Sequence, residues 1–145
     1  MLRTIGQHPL VEFNRGAKVL TGGLHALLRT YDFCLSAPGT GFGNRIVDYV
    51  VAGCIPVVVR PGGLLLPHEP DLDYSAFAVS VPFETIPALP SLLANMSDAV
   101  VAQMRERLCA VHRMFIWDED YGTAYETALG ALLSRLDGHV PPPPV

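Results

Sequence analysis

The sequence is short of charged residues, cysteines and long apolar runs, and each shortage excludes a class of protein. Only 17% of the 145 residues are charged, and the formal net charge is −4. Without a block of lysine and arginine, this composition argues against nucleic-acid binding. The longest apolar stretch, 50–59, contains Gly53 and Pro56, so we expect no membrane span. The amino terminus, MLRTIGQHPL, lacks the apolar segment of a signal peptide, and we see no anchor.

The three cysteines are too few for a disulfide framework, and their spacing matches no zinc site. Cys34 and Cys54 fall in or beside two predicted strands. We expect them to be buried free thiols, and a bridge between them is the less favoured alternative, which geometry must decide. Half of the residues are hydrophobic. This predicts a packed chain with one domain rather than a disordered one.

The stretch 32–59 predicts a strand, a glycine-rich loop, a short helix and a second strand. The apolar runs 33–35 and 55–59 are closed by proline and glycine, which is typical of strands buried on both faces of a parallel sheet. Apolar residues at helical spacing lie between them: Ile46, Val47, Val50 and Val51. We therefore expect an α/β fold with a Rossmann-like parallel sheet flanked by helices and a right-handed crossover.

The loop between these strands combines glycine with a helix start, which attracts phosphate. Glycine at alternate positions lets the backbone approach a ligand, and the helix directs its free N–H groups toward the loop. Asp48, one turn into the helix, can accept hydrogen bonds from sugar hydroxyls. The alternative is an ordinary turn followed by an exposed ion pair between Arg45 and Asp48. The candidate phosphate-binding residues are Gly39, Gly41, Gly43, Asn44 and Arg45.

The same loop does not fit the dinucleotide fingerprint. Asn44 stands where the third glycine should be, and Arg60 with Pro61 replaces the expected acidic residue after the second strand. This disfavours a nicotinamide or flavin, with a 2′-phosphate on Arg60 as a remaining alternative. The acidic residues in 117–121 have no histidine at ligand spacing, so we expect no cofactor and no metal site.

The other elements of the chain are predicted from apolar periodicity, capping residues and prolines. The prolines of the loop 60–73 keep it out of regular structure, and its polar candidates for a sugar contact are His68 and Glu69. The alternative is a rigid surface loop. The further predicted elements are a helix from Thr21 to about Tyr31, a strand at 77–81, a short helix near 88–95, a helix capped by Ser97 and continuing to Phe115, and a last helix ending at Gly138.

Several motifs, taken in order, resemble exostosin-type glycosyltransferases of the plant and green-algal branch. The resemblance covers roughly residues 24–115. The loop departs from the algal pattern at Thr40, Phe42 and Gly43, where an acidic residue, tryptophan and serine are frequent, and His68 replaces a usual phenylalanine. The matching motifs are Phe33-Cys34-Leu35, Pro38-Gly39, Arg45-Ile46-Val47-Asp48, Gly53-Cys54-Ile55-Pro56-Val57, Leu66-Pro67-His68-Glu69 and Leu72-Asp73-Tyr74-Ser75-Ala76-Phe77.

The resemblance implies the C-terminal, donor-binding half of a two-domain (GT-B type) glycosyltransferase. Such a half binds a nucleoside diphosphate sugar, usually a UDP-sugar, for transfer to a glycan acceptor held by the other half. Loop amides and Arg45 would neutralise the diphosphate without a metal. The general base is expected on the other half, so no catalytic residue is assigned. The resemblance also adds Glu69 to the donor contacts.

It further implies a fragment that lacks the acceptor half, a membrane-associated location in the Golgi lumen, and a late helix with an exposed apolar stripe. We divide the chain into a weakly structured segment 1–20, a nucleotide-sugar-binding domain 21–138 and a disordered proline-rich tail 139–145. A second hypothesis, favoured by the altered loop residues, is a non-catalytic remnant or interaction module that keeps the fold.

Overall fold

The computed structural model describes residues 23–37, 45–60, 65–69 and 71–136. The segment 1–20, the glycine-rich loop 38–44 and the tail 139–145 lie outside these residues. The helices are α1 (Gly23–Leu28), α2 (Arg45–Ala52), α3 (Leu89–Ala94), α4 (Asp98–Val111) and α5 (Ala124–Leu136). The strands are β1 (Phe33–Ser36), β2 (Ile55–Val59) and β3 (Val79–Val81), and 3₁₀ helices span Tyr74–Ala76, Phe83–Ala88 and His112–Phe115.

The three described strands form one parallel sheet in the order β1-β2-β3. The register places Phe33 beside Ile55 and Val57 beside Val79. All five residues of the central strand β2 are buried, as expected of a parallel strand covered on both faces. The predicted α/β fold, a parallel sheet flanked by helices, is confirmed.

Two apolar clusters cover the two faces of the sheet. On one face Val58 packs with Ile46 and Val50 of α2, which are 1% and 0% exposed, and with Phe77 and Leu108. On the other face Val57 and Val59 pack with Val81, Ile86 and Leu89. Because successive side chains of a strand point to opposite faces, β2 supplies both clusters from consecutive residues.

Cys34 and Cys54 are joined by a disulfide, so the expectation of free thiols is wrong. The parallel register places Phe33 beside Ile55, which brings the neighbouring Cys34 and Cys54 to a Cα–Cα distance of 5.8 Å. This separation lies in the usual disulfide range. The bond ties β1 to the residue before β2 and so encloses the whole crossover. Cys109 is a free, exposed cysteine.

The predicted helices are present with adjusted bounds. Within the described residues α1 covers 23–28, and Leu28 is buried whereas Leu24 is 52% exposed, so only part of its apolar surface faces the core. Ser97 caps α4 as predicted, with its Oγ accepting from the Val100 N–H at 3.4 Å. Met104 is buried, but Val100 is exposed, because only the later turns of α4 face the core.

Helix α5 exposes the apolar stripe that the sequence predicts. Among its residues only Ala124 is buried. The outward side chains are Tyr125, Leu129, Leu132, Leu133 and Leu136, with Leu136 82% exposed. None of the described helices has the length and hydropathy that crossing a bilayer requires.

Candidate functional site

The three strands of the sheet end on the same side, and this carboxyl edge defines the candidate site. Parallel α/β sheets bind ligands outside the carboxyl ends of their strands. Ala37 follows β1, Arg60 follows β2 and Pro82 follows β3. Of these three residues, only Arg60 carries a charge.

Arg45 is the first residue of α2 and is exposed. The other end of α2 lies at the amino end of β2, because the Cys54 N–H bonds the Tyr49 carbonyl and Ile55 then starts the strand. The helix has eight residues and is about 12 Å long. Its first turn therefore reaches back to the carboxyl edge, where Arg45 can meet a ligand. The other predicted phosphate contacts, at positions 39, 41, 43 and 44, lie outside the described residues and stay predictions.

Asp48 lies one turn further along α2 and contacts α1. Its Oδ1 is 3.4 Å from His25 Nε2, and the two side chains are 42% and 48% exposed. Among the ion pairs of the described residues, Asp48 is thus paired with His25 rather than with Arg45. The Asp48 carboxylate stays accessible to a ligand.

Tyr49 connects α2 to strand β1. Its hydroxyl donates to the Leu35 carbonyl at 3.1 Å. Burial raises the pKa of Tyr49, with the nearby Arg45 opposing and Asp48 adding to this shift. The hydroxyl therefore keeps its proton and its hydrogen bond at neutral pH, and the helix that carries Arg45 has a fixed position.

Glu69 lies at the carboxyl edge because it is bonded to Arg60. Arg60 Nη2 donates to Glu69 Oε1 at 2.7 Å, and the Leu66 N–H donates to Glu69 Oε2 at 2.7 Å. The two charged side chains are 28% and 14% exposed. A short, partly buried pair of this kind is better defined than a surface ion pair. The Glu69 carboxylate consequently has a fixed orientation.

The segment Leu66–Glu69, here called the 66–69 turn, has the features of a type II turn. Pro67 occupies its second position, His68 has φ 65°, and the Glu69 N–H bonds the Leu66 carbonyl at 3.1 Å. The Tyr74 hydroxyl donates to the Pro67 carbonyl at 2.9 Å. Burial strongly raises the pKa of Tyr74, and the charge of Glu69 adds to this rise, so the tyrosine remains a donor.

His68 packs against Phe115 of the 3₁₀ helix His112–Phe115. The two rings meet edge-on, with the centroids 5.0 Å apart. Burial lowers the pKa of His68 against smaller opposing effects of the Met114 backbone and of Asp71. The position thus accommodates an aromatic ring against Phe115, as it would the phenylalanine that the resemblance implies. Its role is in the turn.

The residue that sequence reasoning missed is Arg60. From the sequence, Arg60 was a departure from the dinucleotide pattern with a 2′-phosphate contact as its alternative, and no contact with Glu69 was expected. Its signal was a basic residue directly after a buried strand, followed nine positions later by Glu69 in a proline-stiffened loop. Within the described residues no group of three histidine, cysteine, aspartate or glutamate side chains is placed to hold a metal ion.

The sequence is similar to that of known proteins. The family model described as Exostosin GT47 domain matches residues 3–96. The chain is 31% identical over 90 residues to a probable glycosyltransferase of Arabidopsis thaliana, covering 61% of this chain and 17% of that protein. It is 30% identical over 110 residues to a probable glucuronosyltransferase of Oryza sativa subsp. japonica, covering 72% and 26%. It is 26% identical over 107 residues to Exostosin-2 of Mus musculus, covering 73% and 14%.

The matched part of the chain thus spans about a quarter or less of the length of these relatives. The family match nevertheless includes β1, α2, β2 and the 66–69 turn, which are the elements that build the carboxyl edge. It covers well over half of the chain, and on this basis the chain belongs to the exostosin GT47 family of glycosyltransferases.

Proposed function

We propose that this chain is the donor-binding domain of an exostosin-type glycosyltransferase and that it binds a nucleoside diphosphate sugar, with a UDP-sugar as the best candidate. The observation that carries the proposal is the position of Arg45. It is exposed at the first position of α2, on the edge where the parallel strands end. A cation there is accessible to an anionic ligand rather than being neutralised by Asp48.

In the proposed complex the diphosphate lies against the start of α2. The helix dipole and the free N–H groups of its first turn attract the phosphates, and the Arg45 guanidinium can bind their oxygens in a bidentate manner. The loop residues proposed to complete this cradle are Gly39, Gly41, Gly43 and Asn44. As the sugar leaves, these groups stabilise the growing charge on the diphosphate by electrostatics.

The two carboxylates of the site serve the hydroxyl groups of the donor in this proposal. Asp48 lies on α2 close to Arg45, with an exposed carboxylate. Glu69 is held at the end of β2 by Arg60. A carboxylate accepts hydrogen bonds from hydroxyls, and each has unused acceptor capacity in this structure.

We place acceptor binding and the general base in a part of the fold outside these 145 residues, so that the chain alone binds the donor without turnover. The support is the small share of its relatives that the chain spans. The exposed apolar stripe of α5 adds to it, since a further domain would bury such a surface.

We also place the chain in the lumen of the Golgi, in association with its membrane. The Cys34–Cys54 disulfide supports this location, because structural disulfides persist in oxidising compartments. Asn95, the first residue of the glycosylation sequon Asn95-Met96-Ser97, is exposed at the end of α3. The Cys34–Cys54 disulfide can be tested by a non-reducing digest of the chain expressed in the secretory pathway. We expect a peptide pair linked by these two cysteines.

Isothermal titration calorimetry with UDP tests the donor-binding proposal. We expect measurable heat for the wild-type chain and a loss of about 10- to 100-fold in affinity for Arg45→Ala, as for the removal of a charged hydrogen-bond donor. Arg107→Ala is the matched control, because Arg107 is exposed on α4, which is not one of the elements that build the edge. Absence of heat from the wild-type chain, or an unchanged affinity in Arg45→Ala, would contradict the proposal.

The second candidate function is a non-catalytic interaction module. It is favoured by the apolar stripe of α5, which includes Tyr125, Leu132 and Leu133. This function requires that UDP produces no heat although circular dichroism shows an intact α/β fold.

A further inference from the structure

We propose that Arg60 is a positioning residue of the donor site, which holds the Glu69 carboxylate in the orientation that accepts hydrogen bonds from the sugar of the donor. This inference rests on the proposed donor-binding function. It deepens that function by separating two tasks at the carboxyl edge. Arg45 meets the diphosphate, whereas the Arg60–Glu69 pair meets the sugar.

Two hydrogen bonds hold Glu69 in place and leave part of its acceptor capacity unused. Its two oxygens each receive one hydrogen bond of 2.7 Å, from Arg60 Nη2 and from the Leu66 N–H. An ionised carboxylate has about four acceptor sites. About two of them therefore remain for a ligand, on a group that can no longer rotate freely.

The backbone of Arg60 is also held in place. Arg60 follows the central strand β2, and its N–H donates to the Val81 carbonyl of β3 at 3.1 Å. The Arg60 side chain thus extends from the end of the central strand β2 to Glu69 in the 66–69 turn. A cation anchored in this way can orient a partner better than one on a loop.

The 66–69 turn keeps its shape without the Arg60–Glu69 pair. The turn is already closed by the Glu69 N–H on the Leu66 carbonyl and is held by the Tyr74 hydroxyl on the Pro67 carbonyl. A partly buried ion pair gains little stability over apolar side chains of similar size. In addition, Arg60 Nε is buried with no hydrogen-bond partner in the part of the chain that the structure describes. Such a group calls for an explanation other than stability, and orientation of Glu69 supplies one.

The binding test compares UDP with four UDP-linked sugars: UDP-glucose, UDP-galactose, UDP-N-acetylglucosamine and UDP-glucuronate. In the wild-type chain we expect at least one of them to bind five- to tenfold more tightly than UDP. In Arg60→Met this advantage falls to less than twofold, while the affinity for UDP changes less than threefold. Arg60→Lys, which keeps the charge, retains part of the advantage, and the control Arg107→Met retains all of it.

A second readout needs no ligand. In amide hydrogen exchange followed by NMR, the Leu66 N–H is protected in the wild-type chain by Glu69 Oε2. We expect this exchange to be at least tenfold faster in Arg60→Met, because the freed carboxylate leaves the amide. Unchanged exchange at Leu66 would show that Arg60 does not hold Glu69 and would overturn the inference, whatever the binding data show.

The binding outcomes separate the inference from the function on which it rests. If the wild-type chain binds UDP but no sugar adds affinity, or if Arg60→Met keeps the advantage of the sugar, the inference alone is overturned. If Arg60→Met weakens UDP and every UDP-sugar by the same factor, Arg60 contacts the diphosphate and is not a positioning residue. If the wild-type chain binds none of the five ligands, the proposed function is overturned and the inference with it.

Discussion

The sheet and helix α5 use their apolar residues in opposite ways. Every residue of β2 is buried between two clusters, and the disulfide fastens the crossover that leads into it. In α5 only Ala124 is buried, although the helix carries four leucines and a tyrosine. The stability of this chain therefore comes mainly from the sheet and the clusters that cover it. The apolar surface of α5 is available for association.

Helix α5 is attached mainly through its start. The Thr123 N–H bonds the Arg113 carbonyl at 2.8 Å, and the Ala124 N–H bonds the Ile116 carbonyl at 3.2 Å. His112 Nε2 lies 2.7 Å from the Tyr121 hydroxyl, which adds a side-chain contact just before the helix. Substitutions in the sheet should therefore lower the free energy of unfolding, whereas substitutions late in α5 should not.

The largest expected effect is at Phe77, which is 1% exposed in the cluster between α2 and α4. Phe77→Ala should lower the free energy of unfolding by about 3–5 kcal/mol, because it removes a buried ring and leaves a cavity. Urea denaturation followed by circular dichroism measures this loss. Phe83→Ala is the matched control: Phe83 is 41% exposed, so its loss should be much smaller. Equal losses would mean that the clusters are not the source of stability.

Removal of the disulfide comes next. The cysteines are 20 residues apart, and releasing a loop of that length should lower the free energy of unfolding by about 3 kcal/mol. The variant combines Cys34→Ala with Cys54→Ala and is measured with and without a reducing agent. The wild-type chain and the control Cys109→Ser should both lose stability on reduction, because both keep the bond. The double variant should be insensitive to the reducing agent. A wild-type chain insensitive to reducing agent would argue against a structural role for the bond.

The 66–69 turn should make stability dependent on pH through His68. Its pKa is lowered by burial in the folded state, so the unfolded state binds the proton more tightly. Stability should therefore rise with pH from below the folded pKa up to about 6.5, the ordinary value for histidine, and then level off. His68→Phe should reduce this slope between pH 5 and 7. An identical slope in the variant would contradict the assignment.

The smallest expected effect is at Leu133, which is 59% exposed on α5. Leu133→Glu should change the free energy of unfolding by no more than about 0.5 kcal/mol, as is usual for surface positions. It should, however, reduce self-association or binding of an apolar dye, because it places a charge within the stripe. The matched contrast is Ala124→Glu, since Ala124 is 1% exposed and should not accept a charge. A large loss of stability in Leu133→Glu would show that α5 belongs to the core.

Patterns of neighbouring residues were enough to predict several strands and helices from the sequence. Apolar runs closed by turn residues placed β1 and β2, helical spacing placed α2, and the hydroxyl of Ser97 marked the start of α4. The stripe of α5 and the family were also readable, because periodicity and motif order need no knowledge of distant contacts. These features depend on neighbours along the chain.

Contacts between residues far apart in the sequence could be identified only from the tertiary structure. The pairing of Cys34 with Cys54 followed from strand register. The partner of Asp48 followed from the packing of α1 on α2, and the partner of Glu69 from the position of the 66–69 turn beside the end of β2. Composition and spacing list the charged groups but do not say which of them come into contact. The contact of Arg60 with Glu69 makes Arg60 part of the candidate site. Periodicity could not predict this contact, because it depends on the folded chain.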